Sequence, residues 1–277
     1  HKYLDQGLIE YCHGPYACAV ILVRKASGRH KLACCLNQLN DRSRKSCYPV
    51  SLIQDNLNNL CNQKFITALD ICGGYLSMLI DPKDRDYFAF ITAFGLFRWK
   101  RVPYGWRNAG ANFCYLMDQV LSGLKYQIVV SYIDDVICFG GRTFDEHLRC
   151  LRLVMDRTQS KGMTLAVSKC SFCLRVFDYL GFQISREGVQ PTVHNVENII
   201  DSKIGGSIDA RQFVGLCQFY RRWIPQLSQL VAPLYAVLKV KWQARDKWLS
   251  PLLSSASKTC SLPILCFGIL ISTESSS

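Results

Sequence analysis

The amino-acid sequence predicts an α+β fold, with a split βαβ sheet that carries helices on one face and a helical part after it. Three features support this. Residues 127–133 (QIVVSYI) and 136–139 (VICF) are rich in β-branched and aromatic residues and flank an acidic turn, the pattern of a buried hairpin. On both sides of that hairpin strand-like and helical runs alternate as strand, helix, strand-turn-strand, helix, strand, the order of a split βαβ unit. Beyond Pro191, Phe213, Leu216, Phe219 and Tyr220 fall three and four apart, the spacing of an apolar helix face.

The elements follow in order. Residues 4–25 read as a short helix, a break at Gly14-Pro15 and a strand over 17–23, and a basic hairpin follows over 24–31. Residues 65–71 (FITALDI) form a second strand-like run that ends in Asp70. The aromatic and basic stretch 87–102 reads as a hairpin, with Phe and Trp packing inward and a solvated charged face. Pro103-Tyr104-Gly105 turns into a helix over about 108–124. A helix over 144–160 and a hairpin over 177–185 come after the acidic turn, and the Ser-rich end from Ser272 is expected to fray.

Composition narrows the function. With 277 residues, 49% of them hydrophobic, the chain has material for one large domain or a few packed subdomains and is not a disordered tail. The net charge of +12 makes a polyanion a reasonable partner. Fifteen Cys lack the dense spacing of a secreted disulfide scaffold and sit mostly inside apolar runs, so they read as mostly reduced, buried thiols of an intracellular protein. Cys170 and Cys173 form a CxxC, but no second pair follows at zinc spacing, which leaves a zinc module as a minor reading. No apolar run reaches the ~20 residues of a membrane span, so no membrane is expected as a partner. The chain starts at His1 without a signal-peptide pattern and reads as a piece of a longer polypeptide.

The chemistry concentrates at Ser131-Tyr132-Ile133-Asp134-Asp135-Val136. Two carboxylates about 5 Å apart repel by roughly 3 kcal/mol at an effective dielectric near 20, so the pair calls for a cation or for solvent. Asp is also an ordinary turn residue, and on this stretch alone the turn and the metal site are both open. In a split βαβ sheet Asp70, at the end of a central strand, can lie beside the hairpin and supply a third carboxylate.

At this point the sequence resembles the reverse transcriptase of gypsy-type LTR retrotransposons, part of a Pol polyprotein, over nearly its whole length. The matching stretches occur in family order: LDQGLIE, CLNQLND, YPVSLI, FITALDICGGY, DPKDRD, FGLFRWKRVPYGWRNAGANF, SYIDDV, EHLRCLRLV, YLGFQIS, GVQP and FVGLCQFYRRWIPQLSQLVAPL. The resemblance implies a right-hand polymerase with fingers, a palm like an RNA-recognition module and a helical thumb. It implies fingers and palm over 1–185, a thumb over 186–240 and the start of a connection over 241–277.

The implied activity is template-dependent addition of dNTPs to a primer on an RNA or DNA template. It is an in-line phosphoryl transfer in which two Mg²⁺ ions, with Mn²⁺ as a substitute, clamp the attacking and leaving oxygens. Asp70, Asp134 and Asp135 are the implied catalytic residues, and Ile71 joins them as a metal ligand. Lys31 falls where the family grips the triphosphate, and as Lys it keeps the charge without the bidentate fork of Arg. Gly73, Gly74 and Tyr75 match the wall under the sugar, Pro103, Tyr104 and Gly105 the loop near the nucleotide, and Lys169 a basic residue near the phosphates. Tyr132, Leu180 and Gly181 match primer-side positions, while Arg98, Lys100 and Arg101 are candidates for template phosphates.

Several positions depart from the family pattern. Cys35 and Asn37 replace an Asp and an Arg, Gly110 replaces a Pro at a helix start, and Trp106 and Arg107 replace smaller residues beside the nucleotide loop. They motivate a second reading, a decayed nucleic-acid-binding remnant. The landmarks Trp242 and Pro263-Ile264-Leu265 resemble the connection, and Thr273-Glu274-Ser275 is faintly similar to a first ribonuclease H motif, so that activity is expected only in the parent polyprotein.

Overall fold

In the computed structural model residues 2–24, 28, 30–200 and 207–239 are described, in two compact units, His1–Arg175 and Val176–Ser277. The first unit runs α1 (Lys2–Asp5), β1 (Ile9–Tyr11), β2 (Val20–Arg24), β3 (His30–Cys34), α2 (Asn37–Arg42), α3 (Ile53–Leu60), β4 (Ile66–Asp70), β5 (Ala89–Thr92), β6 (Gly95–Trp99), α4 (Ala109–Val120), β7 (Val129–Tyr132), β8 (Asp135–Phe139), α5 (Phe144–Ser160) and β9 (Ser171–Leu174). The second runs β10 (Val176–Tyr179), β11 (Phe182–Ser185), β12 (Gly188–Pro191), α6 (Val193–Ile200), α7 (Ser207–Phe219) and α8 (Leu227–Lys239).

Four strands form the central sheet of the first unit in the order β7-β8-β4-β9, and each neighbouring pair is antiparallel. β4 and β7 therefore run parallel with β8 between them, which is the split βαβ arrangement, and α4 makes the crossover. Strand period then decides the faces. Leu69 opposes Val136 and Thr67 opposes Cys138 on one face; Ala68 opposes Ile137 and Asp70 opposes Asp135 on the other. On the first face Leu69, Val136 and Cys138 share one buried cluster with Phe113, Met117 and Val120 of α4 and with Leu151 and Val154 of α5.

α5 starts with a capping box: the Thr143 hydroxyl accepts from the Glu146 N–H, and the Glu146 carboxylate accepts from the N–H groups of Thr143 and Arg142. This first turn delivers His147 to the sheet, where its ring is fully buried and Nε2 lies 2.9 Å from the Thr67 hydroxyl. Nδ1 lies 3.1 Å from the Gly140 carbonyl, and the Cys173 N–H donates to the same Thr67 hydroxyl. One buried polar chain thus joins α5, β4, the end of β8 and β9.

The aromatic hairpin turns most of its Phe and Trp inward as the sequence predicts, but Phe94 at its tip is exposed. Phe97 and Trp99 are buried, and Trp99 meets Phe90 and Tyr3 at 5.7 and 5.6 Å. The predicted strand over 17–23 starts later, at Val20, although Cys18 makes an isolated bridge to Phe90. The helix over 108–124 ends at Val120, and β7 starts at Val129 because Tyr126 takes a left-handed φ of 64°. The two compact units divide between Arg175 and Val176, and β10 and β11 pair with β12 within the second. The expected connection over 241–277 lies outside the described residues.

Candidate active site

The acidic turn is a two-residue connection, Ile133-Asp134, closed by the pair Tyr132 and Asp135. Ile133 sits at φ 55°, a left-handed conformation that costs a β-branched residue roughly 1–2 kcal/mol. The flanking strands hold it there: Val129, Val130 and Val136 are fully buried, and Ser131 nearly so, its carbonyl accepting from Asn56 of α3. The turn has no freedom to relax without unpacking the sheet.

Register brings Asp70 directly opposite Asp135, with Asp134 beside them in the turn. Partial burial, followed by the charges of Asp134 and Asp70, holds the Asp135 carboxyl above its ordinary range. Lys169 is the cation that faces this group. Its Nζ donates to Asp70 Oδ2 at 2.8 Å, and that bond raises the lysine pKa. Among the described residues, no group of three His, Cys, Asp or Glu side chains is already drawn together as a metal-ligand set. The donors themselves fit a hard dication such as Mg²⁺, being oxygen ligands with too little positive charge around them. Ile71 can offer only its carbonyl, and the bridge it forms with Leu165 uses the Asp70 carbonyl and the Cys72 N–H instead.

A wall stands beside the carboxylates. A β-carbon on Gly74 would lie 3.9 Å from Asp134 Oδ2 and 4.0 Å from the Tyr104 hydroxyl, so the Gly73-Gly74 turn, Tyr104 and the acidic turn surround one space. The Tyr75 ring packs against Tyr104 and Phe113 at 5.5 and 5.8 Å, and the Tyr104 hydroxyl donates to the Gly73 carbonyl. Burial, and after it the Asp134 charge, raises the pKa of both tyrosines, so both stay neutral donors. The Pro103-Tyr104-Gly105 loop is fastened to β3. The Cys34 N–H donates to the Tyr104 carbonyl, and Gly105, at φ 110°, lies where any β-carbon would collide with the Cys34 carbonyl. From α2, the Asn40 carboxamide donates to the Gly105 carbonyl at 2.9 Å and accepts from the Arg107 N–H at 2.8 Å.

Residues 24–184, more than half of the chain, match the family model described as reverse transcriptase (RNA-dependent DNA polymerase). The chain belongs to that family. It is 29% identical over 242 residues to the retrovirus-related Pol polyprotein from transposon 297 of Drosophila melanogaster, a match that covers 85% of this chain and 23% of the relative. It is 28% identical over 243 residues to the transposon Tf2-3 polyprotein of Schizosaccharomyces pombe, covering 87% of this chain and 18% of the relative. The chain thus spans about a fifth of the length of these relatives. Among solved structures, the foamy viral protease-reverse transcriptase in complex with double-stranded DNA superposes with a TM-score of 0.80 at 21% identity, covering 94% of this chain and 46% of the other. The same enzyme in complex with an RNA/DNA hybrid gives 0.74 at 20% identity, covering 94% and 35%. The fold is therefore that of right-hand polymerases.

The other expected site residues of this reverse transcriptase domain divide unevenly. Arg98 is paired with two carboxylates, Glu10 at 2.8 Å and Asp86 at 2.5 Å, and Arg85 joins the cluster through Glu10. Arg101 spends Nη1 on the Leu76 and Ser77 carbonyls, where it braces the turn that carries Tyr75. Neither set of partners is visible in the sequence: acids for Arg98 and backbone carbonyls for Arg101. Lys100 follows β6 half-buried, its N–H donating to the Leu8 carbonyl. Lys31 lies on β3 opposite Val23, and its side chain is outside the described part. Leu180 and Gly181, both with positive φ, form the turn between β10 and β11 within the second unit. There the Gly181 carbonyl accepts from Asn195 and Tyr220. Asn40 and the Lys169–Asp70 pair were not separable from the sequence, because both depend on partners more than sixty residues away.

Asp135 yields a stability test. Its folded pKa lies above its unfolded one, so its ionisation costs stability as pH rises from the ordinary carboxylate range through the raised value. Without divalent cations, Asp135→Asn should therefore melt higher than the parent at neutral pH, with the gain shrinking as pH falls and the parent protonates. Thermal melts across pH check this; a variant that melts lower than the parent at neutral pH contradicts the repulsion.

Proposed function

We propose that this reverse transcriptase domain adds deoxynucleotides from dNTPs to the 3′-hydroxyl of a primer paired with an RNA or DNA template, at the space bounded by Asp70, Asp134 and Tyr75. The observation that carries the reading is the register of β4 and β8, which sets Asp70 opposite Asp135 at the turn that carries Asp134. Carboxylates crowded against their own repulsion suit a site that takes up positive charge with its substrate. Asp70 and Asp134 would hold two Mg²⁺ ions between them, with Asp135 and the Ile71 carbonyl supporting one side. When bound, the ions supply neutralisation of the charge that builds on the attacking and leaving oxygens.

The remaining roles belong to the chain's own groups. Tyr75, half-buried and braced by Phe113, presents a ring edge on which a deoxyribose rests and a ribose 2′-hydroxyl collides. Lys169, which now donates to Asp70, would be placed to meet a phosphate oxygen of the incoming nucleotide. The net charge of +12 and the nucleic-acid complexes of the foamy viral relatives support a duplex as partner. Intact register at the carboxylates favours a working polymerase over a decayed binding remnant. Ribonuclease H activity is assigned only to a longer parent polyprotein.

Primer extension on an RNA template with Mg²⁺ tests the reading. Asp134→Asn should leave the melting temperature within a few degrees and lower extension by at least ~10²–10³, as losing one preorganised electrostatic stabiliser does. Extension within tenfold of the parent would overturn the assignment. Asn40→Ala removes both hydrogen bonds that pin the Gly105 loop, each worth about 1 kcal/mol. It should raise KM for dNTP by about tenfold with kcat little changed; an unchanged KM would show that the loop needs no clamp.

A further inference from the structure

The central sheet is irregular just beyond the lysine that meets Asp70. β4 and β9 pair through Ile66 with Leu174 and through Ala68 with Ser171, so two steps along β4 are matched by three along β9. The surplus residue makes a β-bulge at Phe172 and Cys173. Cys173 carries it at φ 53°, a left-handed conformation that is uncommon outside glycine and persists only where the surroundings impose it. The imposing group is on the facing strand. Fully buried Thr67 stands between the two registered pairs, and its hydroxyl accepts from the Cys173 N–H at 3.2 Å.

That hydroxyl is itself aimed. His147 Nδ1 lies 3.1 Å from the Gly140 carbonyl, which can only accept, so Nδ1 carries the proton. Burial lowers the pKa of the ring and keeps it neutral, which leaves Nε2 as an acceptor for the Thr67 O–H 2.9 Å away. With its proton committed to His147, the Thr67 oxygen turns its lone pairs to Cys173. The consequence falls at the site. Two residues on from Ala68 and two back from Ser171 come Asp70 and Lys169, and the Lys169 Nζ donates to Asp70 Oδ2 at 2.8 Å. Without the bulge, the same count from Ile66 and Leu174 ends on Cys170, and a slip of one residue also sends each side chain to the other face.

We propose that Thr67 and His147 are positioning residues for nucleotide addition: through the bulge at Cys173 they deliver Lys169 to Asp70 and to the phosphates of the incoming nucleotide. Neither touches the substrate. The role rests on the reading of Lys169 as a phosphate contact, and it adds the two buried residues that set where that lysine stands.

Two readouts on the intact chain test it, and the first needs no polymerisation. Without Mg²⁺ or nucleotide, acetic anhydride is added below one equivalent, and acetylation at Lys169 is compared with that at exposed Lys161 by peptide mass mapping. Thr67→Val keeps the shape of the side chain and loses the hydroxyl. It should raise the Lys169 to Lys161 ratio about threefold or more, because Asp70 no longer holds the amine protonated, while Thr67→Ser stays near the parent. The second readout is steady-state primer extension. Thr67→Val should raise KM for dNTP by about tenfold, the size of one lost charge-assisted hydrogen bond, with kcat within about twofold, and should add nothing further to Lys169→Met. His147→Phe, which fills the same space, should move both readouts in the same direction and carries the test if Thr67→Val does not fold. A labelling ratio that the folded variant leaves unchanged overturns the positioning role whatever the kinetics. So does a KM effect that persists in full beside Lys169→Met, or a lower kcat with KM in place where Lys169→Met itself raises KM. A raised labelling ratio with a normal KM in Lys169→Met upholds the positioning and removes the phosphate role instead.

Discussion

Asp70 and Asp135 face each other because β4 and β8 pair with no slip between Ile66 and Asp70, and a slip of one residue would send one of them to the opposite face of the sheet. What surrounds them answers to that placement. Lys169 approaches from beyond α5 to meet Asp70, Tyr75 and Tyr104 stay protonated within the field of Asp134, and the two glycines after Cys72 keep the space open. The register is held by apolar packing on the helix-covered face, where Leu69, Val136 and Cys138 lie against α4 and α5, and by the buried chain through Thr67 and His147. Hydrophobic burial thus holds two like charges in opposition and Ile133 in a left-handed turn.

The same logic separates the positive charges that serve the fold from those left for a substrate. Arg98, between Glu10 and Asp86, joins β1, β6 and the segment before β5, and Arg101 ties down the backbone beside Tyr75. Lys169 differs because its side chain is about two-thirds exposed and its partner is itself a candidate ligand. A cation held only by a carboxylate that has other work can move to a phosphate.

Much of this was legible in the sequence where a local rule governed it. The hairpin around Asp134 followed from β-branched runs on either side of a turn, and the nearness of Asp70 from the order of elements. What depended on distant partners was not legible. The acceptors of Arg98 and Arg101 lie elsewhere in the chain, and nothing in CLNQLND marks Asn40 as the carboxamide that bridges Gly105 and Arg107. The late start of β2 has a similar origin: Cys18 pairs with Phe90 rather than continuing the hairpin with β3.

The central claim is that Asp70, Asp134 and Asp135 form a centre held short of positive charge, and melting temperature against Mg²⁺ concentration tests it most directly. Ligand bound only by the folded state stabilises by RT ln(1 + [L]/Kd), so the parent should melt progressively higher as Mg²⁺ is raised at constant ionic strength. Asp70→Asn and Asp134→Asn should each remove most of that rise. A parent that gains nothing from Mg²⁺, or variants that gain as much as the parent, would contradict it.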